Sequence, residues 1–449
     1  MPCLLIPRSR RALSFSLLAV LVSMPMDVPS ESQSAQTSSQ DDALVKKARA
    51  IHEQVTKLDT HIDFAPADLT GGRNYTQRLD TQFDLPKMVA GGLDGLFFSI
   101  YVGQTREAQN PDALRPAGYD RAYKAAVEKF DAVRRFTGEI APDRIELALT
   151  VNDVRRIKAR GKKFALMGVE NGYPLGEDIG RVKEFYERGA RYLSLTHNGH
   201  NQLADSHTGE RDGWKWHGVS PLGRQVIAEM NRLGIMVDVS HASKASMMQT
   251  AALSKAPIIA SHSAARALCD VSRNMDDEQL LALKKTGGVV QVVAYEGFVK
   301  ATKPDSADRR AALAEARKEY NLPDAVGPGQ RARFQSALTQ MPADRRAAYE
   351  TKLAAIDKQH PGDPPVNLKD FVDHIDYTVK LLGIDHVGIS SDFDGGGGVI
   401  GWNDAGETFN VTLELVRRGY TEAQIEKLWS GNILRVMDQV ERIARVLQK

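Results

Sequence analysis

Hydrophobic and polar positions follow two rhythms along this chain. Residues 41–57 place Ala43, Leu44, Val45, Ala48, Ile51 and Val55 at helical spacing, which predicts an amphipathic helix. Beyond it come short apolar runs that predict strands: LDTHID (58–63), GLFFSIY (95–101), FALMGVE (164–170) and YLSLTH (192–197). Four more follow: IMVDVSH (235–241), IIASH (258–262), VVQVVAY (289–295) and VGISSD (387–392). Helical spacing returns between them, as at 180–188, 221–233, 243–254, 276–286 and 368–382. Pro221 directly after Ser220 marks a helix start, because its missing N–H falls where no helical bond is made.

Strands alternating with helices predict a parallel sheet of the α/β class, and eight such units predict a closed TIM-like (β/α)8 barrel. Such barrels use about 250 residues, so the surplus belongs to insertions. One separates the seventh and eighth strands at residues 300–365, where ADRRAALAEARKEY and ADRRAAYETKLAAI predict two solvated helices joined by a segment containing NLPDAVGPGQ. It reads either as a surface elaboration or as a lid or dimer element at the barrel end where strands finish. The two ADRRAA copies are too few for a repeat architecture. Residues 421–447 predict a closing helix pair, and 37–449 form a single barrel domain.

The first 36 residues read differently. Arg8, Arg10 and Arg11 precede a short apolar run, ALSFSLLAVLVSM, stopped by Pro25 and followed by the Ser/Gln-rich SESQSAQTSSQ. A spanning helix wants roughly 18 or more apolar residues, so this is an export signal with a flexible leader, cut near Ala35, rather than a stable anchor. Ser9-Arg10-Arg11 resembles a twin-arginine signal only loosely. An uncleaved anchor is the alternative. Cys3 lies in the leader, leaving Cys269 without an intrachain partner, which suits a soluble protein of a bacterial periplasm.

Charge removes one class of function. The chain carries 59 Lys+Arg against 57 Asp+Glu, and without the first 36 residues the balance is 56 against 55. No bulk positive field for nucleic acid results, and the basic insertion helices are interleaved with acids and lack aromatic stacking platforms.

The informative feature is where ionisable residues fall. His61 and Asp63, two apart, share one face at the end of the first strand. Glu170, His197, His241, His262 and Asp392 end the third, fourth, fifth, sixth and eighth. In a barrel these ends meet at one mouth, where active sites of the fold lie. Neutral imidazoles and carboxylates are donors for Zn²⁺ and similar cations, and six or seven of them suit a pair of ions about 3.5–4 Å apart that acidify a shared water. Asp392 competes with Asp394 for its place, since either acid of SSDFDGGGG can cap a loop.

DTHID, GVENG, LSLTHNGHNQLADS, VDVSH, ASHSAAR, SRNMDDE and VGISSDFDG occur in this order. Together they closely resemble the renal (membrane) dipeptidase family of binuclear zinc peptidases, over residues 58–435. The resemblance implies two Zn²⁺ per subunit. It makes His61 and Asp63 ligands of the first metal, Glu170 the bridging carboxylate, His241 and His262 ligands of the second, and Asp392 a first-metal ligand that moves protons. It makes His197 a substrate contact that steadies the tetrahedral intermediate, and Arg273 the clamp on the substrate's terminal carboxylate. Dipeptides are then the substrates, attacked by a hydroxide bridging the metals, and a homodimer is the expected assembly. The chain departs from the mammalian members in lacking their cysteine pairs, a C-terminal apolar tail for a lipid anchor, and a tryptophan after Asp63, where Phe64 stands. A related binuclear amidohydrolase, lactonase or deacylase is the second reading, and a non-catalytic periplasmic binding protein the third. A substrate panel and a metal assay separate them.

Overall fold

A computed structural model describes residues 31–105, 110, 112–323 and 330–449, with side chains from 41 onward apart from 330–332 and 335. Most of the stretch read as an export signal lies outside the described residues. Close contacts divide the chain into Met1–Ala43 and Leu44–Lys449, and the barrel belongs to the second unit.

Nine parallel strands form one sheet: β1 (Leu58–Ile62), β2 (Gly95–Tyr101), β3 (Ile145–Leu147), β4 (Lys163–Glu170), β5 (Ala190–Ser194), β6 (Met236–Asp238), β7 (Ile259–Ser263), β8 (Val289–Val293) and β9 (Val387–Ser390). All but β3 form the ring, in chain order, and the seam between last and first strands is held by a parallel bridge from Ile62 to Phe393. This is the α/β barrel that the alternation predicts. The extra strand β3 shares an edge of β4 with β5: it pairs with Lys163–Ala165, and β5 takes over from Met167.

The strands alternate two inventories, as period-two geometry requires. Leu96, Phe98, Ile100, Met167, Val169 and Val290 belong to the large cluster shared with the surrounding helices. Leu58, Phe97, Phe164, Leu166, Tyr192, Met236, Ile259 and Val289 form a second cluster together with Ile433, Val436, Met437 and Val440 of the C-terminal helix. Leu58, Ile259 and Val289 begin their strands, so this helix closes the barrel end opposite the functional mouth. Each such side chain, fully buried, contributes about 1.5–3 kcal/mol of transfer free energy.

Helices end and begin where local chemistry dictates. Ser220 caps Pro221–Leu233 by accepting from Gly223 N, and Gly234 ends it in the left-handed conformation. Asn367 and Asp370 form a reciprocal capping box at Leu368–Leu382.

Four expectations are corrected. The first helix begins at Glu31, so the Ser/Gln-rich end of the leader is helical; it contains no Pro or Gly to stop propagation. The closing segment is one helical run, Glu422–Glu426, a π-turn at Lys427–Gly431, then Asn432–Leu447. It needs no break because Gly431 keeps right-handed helical torsions, and the π-turn seats Trp429, whose indole donates to Thr412 at 3.0 Å. The insertion holds three helices, Ala307–Glu319, Gln330–Gln340 and Ala343–Gln359. The middle one, Gln330–Gln340, is stabilised by a separate small core in which Phe334, Ala337 and Leu338 pack on Ala316, Tyr349 and Ile356. Finally, the fourth predicted run ends its regular pairing at Ser194, and His197 sits on the loop beyond.

Inside the barrel, Tyr192 crosses directly over Gly168 of the neighbouring strand, where a Cβ would stand 1.9 Å from its ring. Gly168→Ala is therefore expected to cost about 1–3 kcal/mol, read as a lower urea midpoint at unchanged slope. Parental stability in that variant contradicts this packing.

Candidate metal centre

β1, β4, β7 and the turns after β5, β6 and β9 deliver the seven ionisable residues to one mouth. Glu170 stands at the middle, 3 % exposed. Its two carboxylate oxygens face different groups. Oε2 lies 3.5 Å from His61 Nε2, and Oε1 lies 3.0 Å from His241 Nε2 and 3.3 Å from His262 Nε2. His61 Nε2 is also 3.6 Å from Asp63 Oδ2 and 4.0 Å from Asp392 Oδ1. Ligand atoms of His61, Asp63 and Asp392 lie within 4.8 Å of one another, as do those of His61, Glu170 and His262, and of Glu170, His197 and His241.

The imidazole tautomers follow from hydrogen bonds on the far side of each ring. His61 Nδ1 meets the Tyr192 hydroxyl at 3.0 Å, and that hydroxyl donates onward to Thr60 O. His262 Nδ1 meets Ser261 Oγ at 2.8 Å, and Ser261 donates to Asp238. His241 Nδ1 meets Asn198 Oδ1 at 3.0 Å. Each partner is thus an acceptor for that nitrogen, so Nδ1 carries the proton and the Nε2 lone pair points into the cage. His241 Nε2 and His262 Nε2 approach to 3.0 Å with Glu170 Oε1 between them, and His61 Nε2 and Asp63 Oδ1 are buried without hydrogen-bond partners. Converging lone pairs and carboxylates repel until a cation lies among them, so the donor set fits divalent metal.

The electrostatics agree. Burial works against the Glu170 carboxylate, yet the neighbouring imidazoles, His61 foremost and then His197, hold it well below the usual carboxylate range. Burial, then Arg273 for His241 and His61 followed by Arg273 for His262, pushes both far below the imidazole range, so both stay neutral. His61 resists burial because Tyr192, Glu170 and Asp63 draw a proton to it. The attraction that recruits a proton there also recruits a metal cation.

Backbone strain marks the same place. His241 and Asp392 adopt left-handed torsions with φ of 66° and 58°, conformations that cost a non-glycine residue of order 1 kcal/mol or more. Gly395 lets the loop pass close to two acids: a Cβ there would lie 2.3 Å from Asp63 Oδ2 and 2.4 Å from Asp392 Oδ1.

The two acids of SDFDG take different positions. Asp392 joins the His61 and Asp63 group. Asp394 instead accepts from Gln82 N at 2.7 Å and Phe83 N at 3.2 Å, fixing the loop after β1. His197 is held between the Tyr101 ring, 4.6 Å away, and the His241 ring, 4.3 Å away, with Nε2 3.8 Å from Glu170 Oε1. Arg273 is buried beside the cage and outside the cavity lining. It donates to Ser263 Oγ and His262 O, lies 5.2 Å from the Phe298 ring centroid, and forms no surface ion pair. Tyr192, Asn198 and Ser261, which orient the imidazoles, went unnoticed in sequence; Asn198, next to His197, carried the only local signal.

The cage opens into a cavity of about 810 Å³ whose walls include Phe64, Arg73, Tyr101, Lys129, Tyr295, Phe298 and Arg333. Arg333 belongs to the insertion, which therefore borders the mouth.

A parallel barrel whose strand ends gather imidazoles and carboxylates around one buried glutamate has the arrangement of a barrel metallohydrolase. The sequence profile of the membrane dipeptidase family (peptidase family M19) matches residues 45–449, and the chain belongs to that family of metallo-dipeptidases. Among its relatives, the dipeptidase aclJ of Aspergillus oryzae is 29 % identical over 405 residues, 88 % of this chain and 80 % of the relative. The crystal structure of the probable dipeptidase PvdM from Pseudomonas aeruginosa is 34 % identical, with a TM-score of 0.70 over 90 % of this chain and 99 % of that one. A metallo peptidase from Rhodobacter sphaeroides, solved with a phosphinate mimic of L-Ala-D-Ala, shares the fold at 23 % identity and a TM-score of 0.63, covering 86 % of this chain and 99 % of that one. No described helix is long and apolar enough to cross a membrane.

Replacing Glu170 by Gln removes the charge shared by both sides of the cage. Its metal affinity, measured by titration against a competing chelator, is expected to fall further than that of Asn198→Ala. The latter loses only a supporting partner, worth about 10–100-fold. Equal affinities in the two variants contradict a bridging Glu170.

Proposed function

We propose that this protein hydrolyses the peptide bond of dipeptides at a pair of Zn²⁺ ions. The observation that carries the reading is the split of Glu170, one carboxylate oxygen toward His61 and the other toward His241 and His262. His61, Asp63 and Asp392 would hold one ion and His241 and His262 the other, with Glu170 within reach of both groups. When bound, such a pair supplies an acidified water and a Lewis acid for the scissile carbonyl.

The chain's own residues supply the rest. Asp392, at the cavity wall, takes the proton of the attacking water and returns it to the leaving amine. His197, neutral because burial lowers its proton affinity, donates a hydrogen bond toward the carbonyl oxygen as charge grows there. Arg273 adds a fixed positive charge behind the cage; a guanidinium has five N–H donors, and bonds to Ser263 and His262 leave others that reach a terminal carboxylate once the side chain turns toward the cavity. Phe64 and Tyr101 bring apolar surface to the walls. A clamp on a free terminal carboxylate close to the reacting bond favours dipeptides over internal bonds of long chains.

The test is turnover of a dipeptide panel and a lactone panel by purified protein. Dipeptide hydrolysis is expected to vanish on chelation and to return with two equivalents of Zn²⁺. Hydrolysis of lactones alone, or dipeptide turnover untouched by chelation, overturns the reading. Arg273→Ala is expected to raise KM about 10–100-fold for dipeptides with a free carboxylate, the cost of a charge-assisted bond, and far less for amidated ones.

A further inference from the structure

We propose that Lys129 is a second anion subsite of the cavity, taking a carboxylate of the substrate; this rests on the dipeptidase reading above. Lys129 lies on the helix Pro116–Arg135, and its side chain lines the cavity beside Asp63, Phe64, Tyr101 and His197. Its Nζ donates to Phe64 O at 3.0 Å and stands 4.7 Å from the Phe64 ring centroid and 5.9 Å from that of Tyr101. Two aromatic faces therefore fix the ammonium in place.

The other charges of the cavity are accounted for. Arg73 pairs with Asp68 at 2.5 Å and with Asp80 at 2.8 Å, and Arg333 lies 3.6 Å from Asp80. Asp394 is satisfied by two main-chain amides. Asp63, Glu170 and Asp392 belong to the cage. Among the described residues Lys129 has no carboxylate at ion-pair distance. Burial weakens its hold on its proton, with Asp63 and Glu170 opposing. Those two acids are the ones a metal pair neutralises, so in the loaded enzyme their compensation of Lys129 is spent.

An ammonium has three donors, and Phe64 O takes one. A part-buried cation with two spare donors, held rigid beside the reacting bond, is matched by an anion carried on the substrate. For a dipeptide that anion is a carboxylate, either of an acidic side chain or of the C-terminus. A charge-assisted hydrogen bond of this kind is worth about 10–100-fold in kcat/KM.

The experiment compares kcat/KM in the Zn²⁺-loaded parent, Lys129→Met and Lys129→Arg. Met keeps the apolar stem against Phe64 and Tyr101 and removes the charge together with the bond to Phe64 O, which Lys129→Arg can restore. Three ratios are read: Glu-Ala over Gln-Ala, Ala-Glu over Ala-Gln, and Ala-Ala over its amide. At least one ratio is expected to favour the carboxylate about tenfold or more in the parent, to fall about 10–100-fold in Lys129→Met, and to be largely kept in Lys129→Arg. A change in the first or second ratio assigns the subsite to a side chain, and a change in the third to the C-terminus. The parent's own ratios need no variant: a parent indifferent to every carboxylate overturns the proposal, as do ratios identical in parent and Lys129→Met. Turnover of no dipeptide at all overturns the dipeptidase reading and this one with it. Normal turnover of Ala-Ala with unmoved ratios leaves that reading standing and removes Lys129 from it.

Discussion

The structure depends on one electrostatic demand: three imidazole lone pairs and three carboxylates are forced toward a common centre. Tyr192, Ser261 and Asn198 each occupy the Nδ1 side of a ring, so His61, His262 and His241 can present only Nε2 to the cage. Mutual repulsion of these donors has to be contained by covalent connection to the barrel. That is why they stand at strand ends and on turns anchored by buried acids. Asp238 shows the method: it accepts from Ser240 N, Ser261 N and Ser261 Oγ, tying the turns that carry His241 and His262 to one carboxylate. Asp59 does the same across the seam, joining His61 N to Ser391 N, next to Asp392. Rigid placement of ligands is paid for in the apolar half of the barrel.

That division runs along the barrel axis. At the end where strands begin, Leu58, Met236, Ile259 and Val289 meet Ile433, Val436 and Met437 in a dry cluster. At the other end Glu170 follows Leu166 and Gly168 on the inward face, and an irregular register between Ala260 and Ser263 accompanies the turn of His262 into the cage. Side chains long enough to span both regimes connect them: Tyr192 sits in the apolar cluster by its ring and reaches His61 by its hydroxyl. The insertion adds a third layer. Its core is separate, yet Arg333 reaches the cavity wall and faces Asp80 of the loop after β1. Substrate access is bordered by elements distant in sequence from the chemistry.

What sequence reading reached and missed follows from locality. The barrel strands were legible because each is a compact apolar run, and Gly95–Tyr101 has the same bounds in sequence and structure. The seven ionisable residues were legible because the fold class alone sends strand ends to one mouth. Ile145–Leu147 was not, since three residues carry too little period to stand out, and β4 lends them the edge they pair with. The helix Gln330–Gln340 was hidden because its stability comes from Ala316, Tyr349 and Ile356 rather than from its own pattern. The supporting partners were invisible for a related reason. Tyr192 reads as one more aromatic of a strand, and only the register against Gly168 shows where its hydroxyl goes.

Lys129 shows the same limit in its sharpest form. In KAAVEKFDAVRR it is one cation of a helix with charges of both signs, the ordinary composition of a solvated face. The fold turns that face inward at one position, because the helix packs beside β2 and the loop after β1, leaving the ammonium against Phe64 and Tyr101. On the proposed reading, a chain with nearly balanced charge would thus acquire a mouth whose sign depends on metal loading. Without them the acids of the cage outweigh Lys129 and Arg273; with a divalent pair in place, the acids are consumed as ligands and the cations remain. On the proposed reading, anion recognition at this mouth would follow metal loading, and specificity for a charged substrate would be coupled electrostatically to assembly of the metal centre.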